Sequence, residues 1–324
     1  MFHVKHCWQR DVLVGRIMVY YAAGLWRRTC FVTQWRRSIA CETAPVRIAH
    51  TTVSAGGKGI SVNAKIVALA NQKGGVGKTT SALNLAAAVA LRKKRVLLVD
   101  SDPQANASSG AGIRVDAQKN IYHCYLGAQD AAQCVVDSQV ENFRILPASI
   151  DLVGAEVELH GTEQQERHLK RVLRPLKTDY DYIFIDCPPS LGILTINCLT
   201  AADSIIIPMQ CEYFAMEGLA LLVQTVRRVK KNFNRDLYIE GLLLTMYDRR
   251  NKLTFSVAKE IQRYFGNQVY ETAIPRNVRL SESPSHGKTI HEYDPTSAGA
   301  EAYRRLAKEF LQRNAQQREE GTNK

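Results

Sequence analysis

Residues 71–80 read Asn-Gln-Lys-Gly-Gly-Val-Gly-Lys-Thr-Thr, between the apolar run 66–70 and a helical-looking run 81–91. A glycine-rich loop joining a strand to a helix is built to grip phosphate. Its backbone N–H groups point at oxygen atoms, while a lysine and a threonine reach the terminal phosphates and Mg²⁺. Gly77, Lys78 and Thr79 fit the end of that pattern, and Gly74, Gly75, Val76 and Thr80 complete the binding run. The first glycine of the ordinary pattern falls on Gln72 instead. Lys73, followed by Gly74 and Gly75, supplies a second cation and extra backbone freedom, which marks a two-lysine variant of the loop.

Two further segments end in carboxylates. The run 95–99 leads into Asp100-Ser101-Asp102-Pro103-Gln104, and 182–185 leads into Asp186-Cys187-Pro188-Pro189. In a parallel sheet both acids emerge at the carboxyl edge, where ligands bind in this architecture. An apolar strand ending in Asp beside a phosphate loop reads as the acid that supports Mg²⁺, often through a bound water. Asp186 is that candidate. Asp102 then remains to orient an attacking water.

These groups need a frame. Apolar runs fit strands at 66–70, 96–99, 143–146, 182–185, 205–208, 239–245 and 269–274. Helix-period segments lie between them, at 79–93, 164–174, 216–231 and 253–265, with a closing helix near 297–313. Consecutive apolar residues, unlike alternating ones, imply strands buried on both faces. The spacing predicts an α/β fold of the P-loop NTPase kind, a mostly parallel twisted sheet with helices on both faces.

Composition agrees with a globular chain and is weak evidence for anything more. The net charge is +12 over 324 residues, but residues 1–63 hold nine Lys/Arg against two Asp/Glu and so carry +7 of it. That stretch also holds all three tryptophans and three of the eight cysteines, with no clear period. Its longest apolar run, 17–26, is short of the roughly 18–20 residues a membrane span needs. Residues 1–63 read as an extension foreign to the domain: a start placed too far upstream, or a disordered arm. The ATPase domain is expected over 64–312, with a polar tail at 313–324. The cysteines show no Cys-x-x-Cys pair and read as reduced thiols of a cytoplasmic protein.

The blocks ANQKGGVGKTT (70–80), VLLVDSDPQAN (96–106), YDYIFIDCPPSLG (180–192), IPMQCEYFAMEGL (207–219), GLLLTMYD (241–248) and IPRNVRLSESPSHGKTI (274–290) together resemble the ParA/Soj chromosome-partitioning ATPases. The resemblance spans residues 65 to about 312. It implies ATP and Mg²⁺ as cofactors and a homodimer closed face to face around two ATP molecules. Lys73 would reach the phosphates of the partner subunit, Lys78 would hold the β and γ phosphates of its own ATP, and Thr79 would ligate Mg²⁺. Gly74 would lie where two backbones approach closely. Met246, Asp248, Pro275 and Asn277 would form the adenine side. Arg250 and Arg279 match positions that bind DNA without sequence preference, and Lys230 and Lys231 extend the basic surface. Release would follow stimulation by a ParB-like partner, in a cytoplasmic, nucleoid-associated cycle without a membrane.

Ala105 stands where similar proteins have glycine, which predicts a stiffer segment because alanine resists positive φ. The alternative reading is a MinD-like ATPase that cycles on membranes. Such proteins end in an amphipathic helix, whereas residues 312–324 here have no apolar side chain larger than Ala315. A redox protein of the nitrogenase iron-protein type needs cysteines at a dimer interface, and a non-enzymatic regulator would use ATP only to gate contacts.

Overall fold

The computed structural model describes residues 63–212 and 215–322. The expectations for residues 1–62 lie outside the described residues. In chain order the elements are β1 (Lys65–Leu69), α1 (Lys78–Ala90), β2 (Val96–Asp100), α2 (Asn106–Gly110), α3 (Ile121–Tyr125), α4 (Ala131–Cys134), β3 (Val136–Asp137), β4 (Phe143–Leu146), α5 (Leu152–Glu158) and α6 (His168–Leu173). There follow β5 (Tyr182–Asp186), α7 (Ile193–Ala201), β6 (Ser204–Gln210), α8 (Ala215–Asn232), β7 (Tyr238–Thr245), α9 (Lys252–Phe265), α10 (Val278–Glu282), α11 (Ile290–Tyr293) and α12 (Ala298–Thr322).

Seven strands form one sheet in the order β3-β4-β2-β5-β1-β6-β7. All neighbours are parallel except the short β3 against β4. β1 is a short apolar run that cannot be exposed on either side. Val67 and Leu69 pack into a core shared with α1 and α12, while Ile66 and Ala68 point to the opposite face and are equally buried. That face is closed by helices such as α7, whose Leu194, Cys198 and Leu199 are buried. Two buried faces are what a parallel sheet requires. Truncating a side chain as enclosed as Leu85 of α1 to alanine costs about 2–5 kcal/mol.

Opposite the loop edge, Lys65 of β1 pairs with Glu240 of β7 at 3.1 Å. Asn314 of α12 donates to the same carboxylate at 2.6 Å and accepts from Lys65. Ser204 donates to its other oxygen. Burial drives the Lys65 pKa down, and the Glu240 carboxylate opposes that shift. The cluster pins α12 to the sheet, and removing one partner of such a buried pair costs about 3–5 kcal/mol.

Two expectations are corrected. The apolar run 269–274 is not a ladder strand. It lies along the outer edge of β7, joined to it by the isolated Leu242–Val269 bridge and by hydrogen bonds from Tyr270 N to Leu242 O (2.9 Å) and Ile274 N to Leu244 O (2.8 Å), with a further bridge, Tyr247 with Pro275, just past both segments. The closing helix does not stop near 313 but continues to Thr322.

Candidate nucleotide site

The loop between β1 and α1 lies at the carboxyl edge of the sheet, between the ends of β5 and β6. Gly75 and Gly77 adopt φ values of +72° and +79°, which L side chains rarely tolerate. Gly77 caps α1 without any side-chain hydrogen bond, and the first turn carries no acid. The N–H groups that open a helix are therefore left to an anion, with the helix dipole favouring negative charge. Lys78, at the first position, is buried, and Thr79 follows it.

Two residues outside the predicted set brace this loop. Asn71 donates to Pro208 O at the end of β6 (2.7 Å) and accepts from Lys73 N (3.0 Å). Thr245, at the end of β7, donates its hydroxyl to Val76 O at 2.8 Å. The ends of three strands thus fix the loop shape before any ligand arrives. Asn71 and Thr245 sit within the sequence blocks that matched, and that was the available signal.

Register brings the acids together. Leu69 pairs with Asp186 across β1 and β5, and Asp100 pairs with Asp186 across β2 and β5. Asp186 is fully buried, and neither carboxylate oxygen has a hydrogen-bond partner. Burial, then repulsion from Asp100, pushes its pKa well up, while the nearby Thr79 hydroxyl and Lys78 ammonium act in the other direction. A buried carboxyl group without a partner is costly. Hydrated Mg²⁺ held by Thr79 fits this position, because its water ligands donate to a carboxylate.

Asp100 differs. Its Oδ2 accepts from Ser108 N (2.8 Å) and Ser108 Oγ (2.7 Å), and its Oδ1 accepts from Asp102 N (3.2 Å). Burial still raises its pKa to about 6, against those hydrogen bonds. It acts as an anchor for the segment that carries Asp102. Asp102 is buried and accepts from Gln104 N at 3.0 Å, which leaves Oδ2 for other contacts.

Lys73 forms an ion pair with Glu212 of its own chain, just past β6. Gly74, beside it, has no atom within 4 Å of where a Cβ would lie, and its φ is not in the positive region. The two residues singled out for reaching and meeting a partner subunit lie on the open side of the loop.

The adenine-side candidates occupy two adjoining segments, joined by the Tyr247–Pro275 bridge. Met246 has φ +48°, and its Cε lies 4.0 Å from a Cβ position on Gly77. Asn277 has a buried side-chain oxygen without a partner. Asp248 is engaged with Arg250, accepting from its Nε and Nη2 at 3.1 Å each. Arg250 is 91% exposed. Arg279 pairs with Glu282 at 2.9 Å and with Asp294 at 3.5 Å. Lys230 and Lys231 lie in the last turn of α8.

A parallel sheet with a two-lysine phosphate loop, a strand-end aspartate aimed at its threonine and a helix N-terminus left open defines a variant P-loop nucleotide hydrolase. The AAA domain family matches residues 64–239. The chain is 56% identical over 246 residues to the sporulation initiation inhibitor protein Soj of Bacillus subtilis, covering 76% of this chain and 97% of that one. It is 49% identical over 260 residues to the chromosome partitioning protein ParA of Myxococcus xanthus, covering 80% and 92% respectively. Among solved structures, cobyrinic acid a,c-diamide synthase of Mycobacterium smegmatis with an ATP analogue and magnesium superposes with a TM-score of 0.66. It shares 37% identity, with 76% of this chain and 93% of that chain covered. The chain belongs to the Soj/ParA family of chromosome-partitioning ATPases. It is an ATPase that uses ATP and Mg²⁺.

Proposed function

We propose that two copies of this chain close face to face around two ATP molecules and that the closed dimer binds DNA without regard to sequence. ATP hydrolysis, stimulated by a ParB-like partner, then releases it. In this reading Lys78 and the N–H groups of residues 74–80 hold the phosphates of one subunit's ATP. Thr79, directly, and Asp186, through water, hold Mg²⁺, which neutralises charge on the phosphate oxygens. Asp102 orients the attacking water. Lys73 crosses to the partner's ATP and stabilises charge developing on the transferred phosphoryl group, the role an arginine finger plays elsewhere.

Met246, Asp248, Pro275 and Asn277 enclose the adenine. Arg250 and Arg279 grip phosphate oxygens of DNA, giving affinity without base readout. The setting is the nucleoid.

The observation that carries this reading is the outward placement of Lys73 and Gly74. A loop built only for its own subunit's ATP has no need of a half-exposed second lysine or of an open glycine with unstrained φ. Replacing Lys73 with alanine tests it. ATP binding is expected to stay within about fivefold of the parent, while turnover falls at least about a hundredfold, the scale of a lost charge in phosphoryl transfer. Unchanged turnover overturns the crossing role.

A further inference from the structure

β1 pairs with β6 as far as Leu69 against Ile206, and Ala70 N carries the ladder one bond further, to Ile206 O at 3.2 Å. Bonds in a parallel ladder are evenly spaced, so the next donor is due two residues on, at residue 72, and the next acceptor at Pro208. A side chain supplies that bond. Asn71 Nδ2 donates to Pro208 O at 2.7 Å, in place of the backbone N–H that a longer β1 would offer. The oxygen of the same amide accepts from Lys73 N at 3.0 Å, an Asx turn that swings the chain off the strand. Asn71 is buried, so both bonds are sheltered from water.

The far end of Lys73 meets the continuation of the same strand, through the ion pair with Glu212. Its backbone and its ammonium group are therefore both tied to the end of β6. The later part of the loop is fixed from elsewhere. Thr245 of β7 donates to Val76 O at 2.8 Å, and Ser81 N donates to Gly77 O at 2.9 Å in the first turn of α1. The two halves of the loop thus have separate supports. Lys73 lies in the first half, and Lys78 and Thr79 lie in the second.

We propose that Asn71 is a positioning residue for ATP hydrolysis and acts through Lys73. Gly74 and Gly75 follow that lysine, and their backbone freedom spreads its direction unless the turn before it is fixed. The Asn71 amide fixes that turn. Misplacing a group by about 1 Å costs on the order of a hundredfold in rate. Loss of Asn71 therefore lowers turnover while sparing the phosphate grip of the second half of the loop. The inference rests on the proposed crossing of Lys73 to the partner subunit's ATP.

The test compares Asn71→Ala, Lys73→Ala and the double variant in the full chain. ATP affinity is read by equilibrium dialysis, and hydrolysis is followed at saturating ATP long enough to resolve slow rates. Asn71→Ala is expected to bind ATP within about threefold of the parent and to turn over at least about tenfold more slowly. In the Lys73→Ala background the same change is expected to alter turnover by less than about twofold, because the group it positions is gone. Asn71→Ser keeps a hydroxyl that accepts from Lys73 N and is expected to lie between, about threefold below the parent. It carries the same comparison in both backgrounds if Asn71→Ala does not fold.

Parent turnover in Asn71→Ala overturns the proposal. So does an equal fall in both backgrounds, or a loss of ATP affinity in step with turnover, since either makes Asn71 a brace for the whole loop. A serine variant as slow as the alanine one removes the turn as the device and overturns it as well. Parent turnover in Lys73→Ala contradicts the crossing itself and the inference with it. Slow Lys73→Ala beside an unaffected Asn71→Ala contradicts the inference alone.

Discussion

Lys73 is held by Glu212 of the same chain, 139 residues further along. The second lysine of the loop is therefore not free in a single subunit, and to reach a partner's phosphates it must first leave Glu212. Both side chains are about half exposed, so the pair is screened and its hold is modest. Replacing Glu212 with glutamine is predicted to tighten ATP-dependent dimerisation by about two- to fivefold, the scale of an exposed ion pair. Sedimentation at graded protein concentration reads this directly. Weaker dimerisation would show that Glu212 instead serves the closed state.

Gly74 gives a sharper test of closure. Nothing in its own chain meets a side chain there, and its φ does not demand glycine. Gly74→Val should leave folding and ATP binding intact and yield a monomer with ATP by light scattering. A dimer of parent affinity refutes the face-to-face placement.

His291 predicts a pH dependence of stability. Its Nε2–H donates to Asn84 O at 3.1 Å, and Nδ1 is buried without a partner. Protonation therefore buries a charge. Burial, aided by nearby Arg304, lowers the pKa to about 4 from 6.5. The unfolded chain then binds the extra proton between those values, so stability is full above pH 6.5 and is lost as pH falls toward 4. Relative to His291→Gln, the parent should lose roughly 3 kcal/mol across that window in denaturant titrations. Parallel curves for the two proteins contradict the burial argument.

Ala105 adopts φ +51° at the start of α2, the left-handed conformation that its sequence context foretells and that alanine resists. Ala105→Gly is predicted to raise stability by about 1 kcal/mol, read from the denaturant midpoint. A lowered midpoint would mean that backbone entropy outweighs the strain.

The sequence was most informative where burial was uniform. β1, β2, β5 and β6 are apolar on both faces, and uninterrupted runs such as Ile205 to Ile207 match the burial on two sides that a parallel sheet imposes. The run 269–274 reads as a strand from Val269, Tyr270 and Ile274 although Glu271 and Thr272 interrupt it, and it covers the edge of β7 instead of extending the sheet. Periodicity reports burial and cannot report which ladder a segment joins. The polar stretch after Gln312 reads as a tail because it lacks apolar side chains, yet glutamine, arginine and glutamate are good helix formers and carry α12 to Thr322. At the site, the loop glycines and Asp186 were legible from local pattern. Glu212, Asn71 and Thr245 were not, because their roles arise from contacts across the sheet edge, and the Asp248–Arg250 pair joins two residues read separately as adenine wall and DNA contact.

The central claim is ATP-gated DNA binding, and co-sedimentation tests it most directly. The full chain is spun with random-sequence DNA and, in parallel, with anionic liposomes, under ATP and under ADP across a salt series. The account predicts capture by DNA with ATP only, lost steeply as salt rises, and abolished by Arg250→Glu with Arg279→Glu while the ATP dimer persists. Capture by liposomes without capture by DNA, or equal DNA capture under ADP, would contradict it.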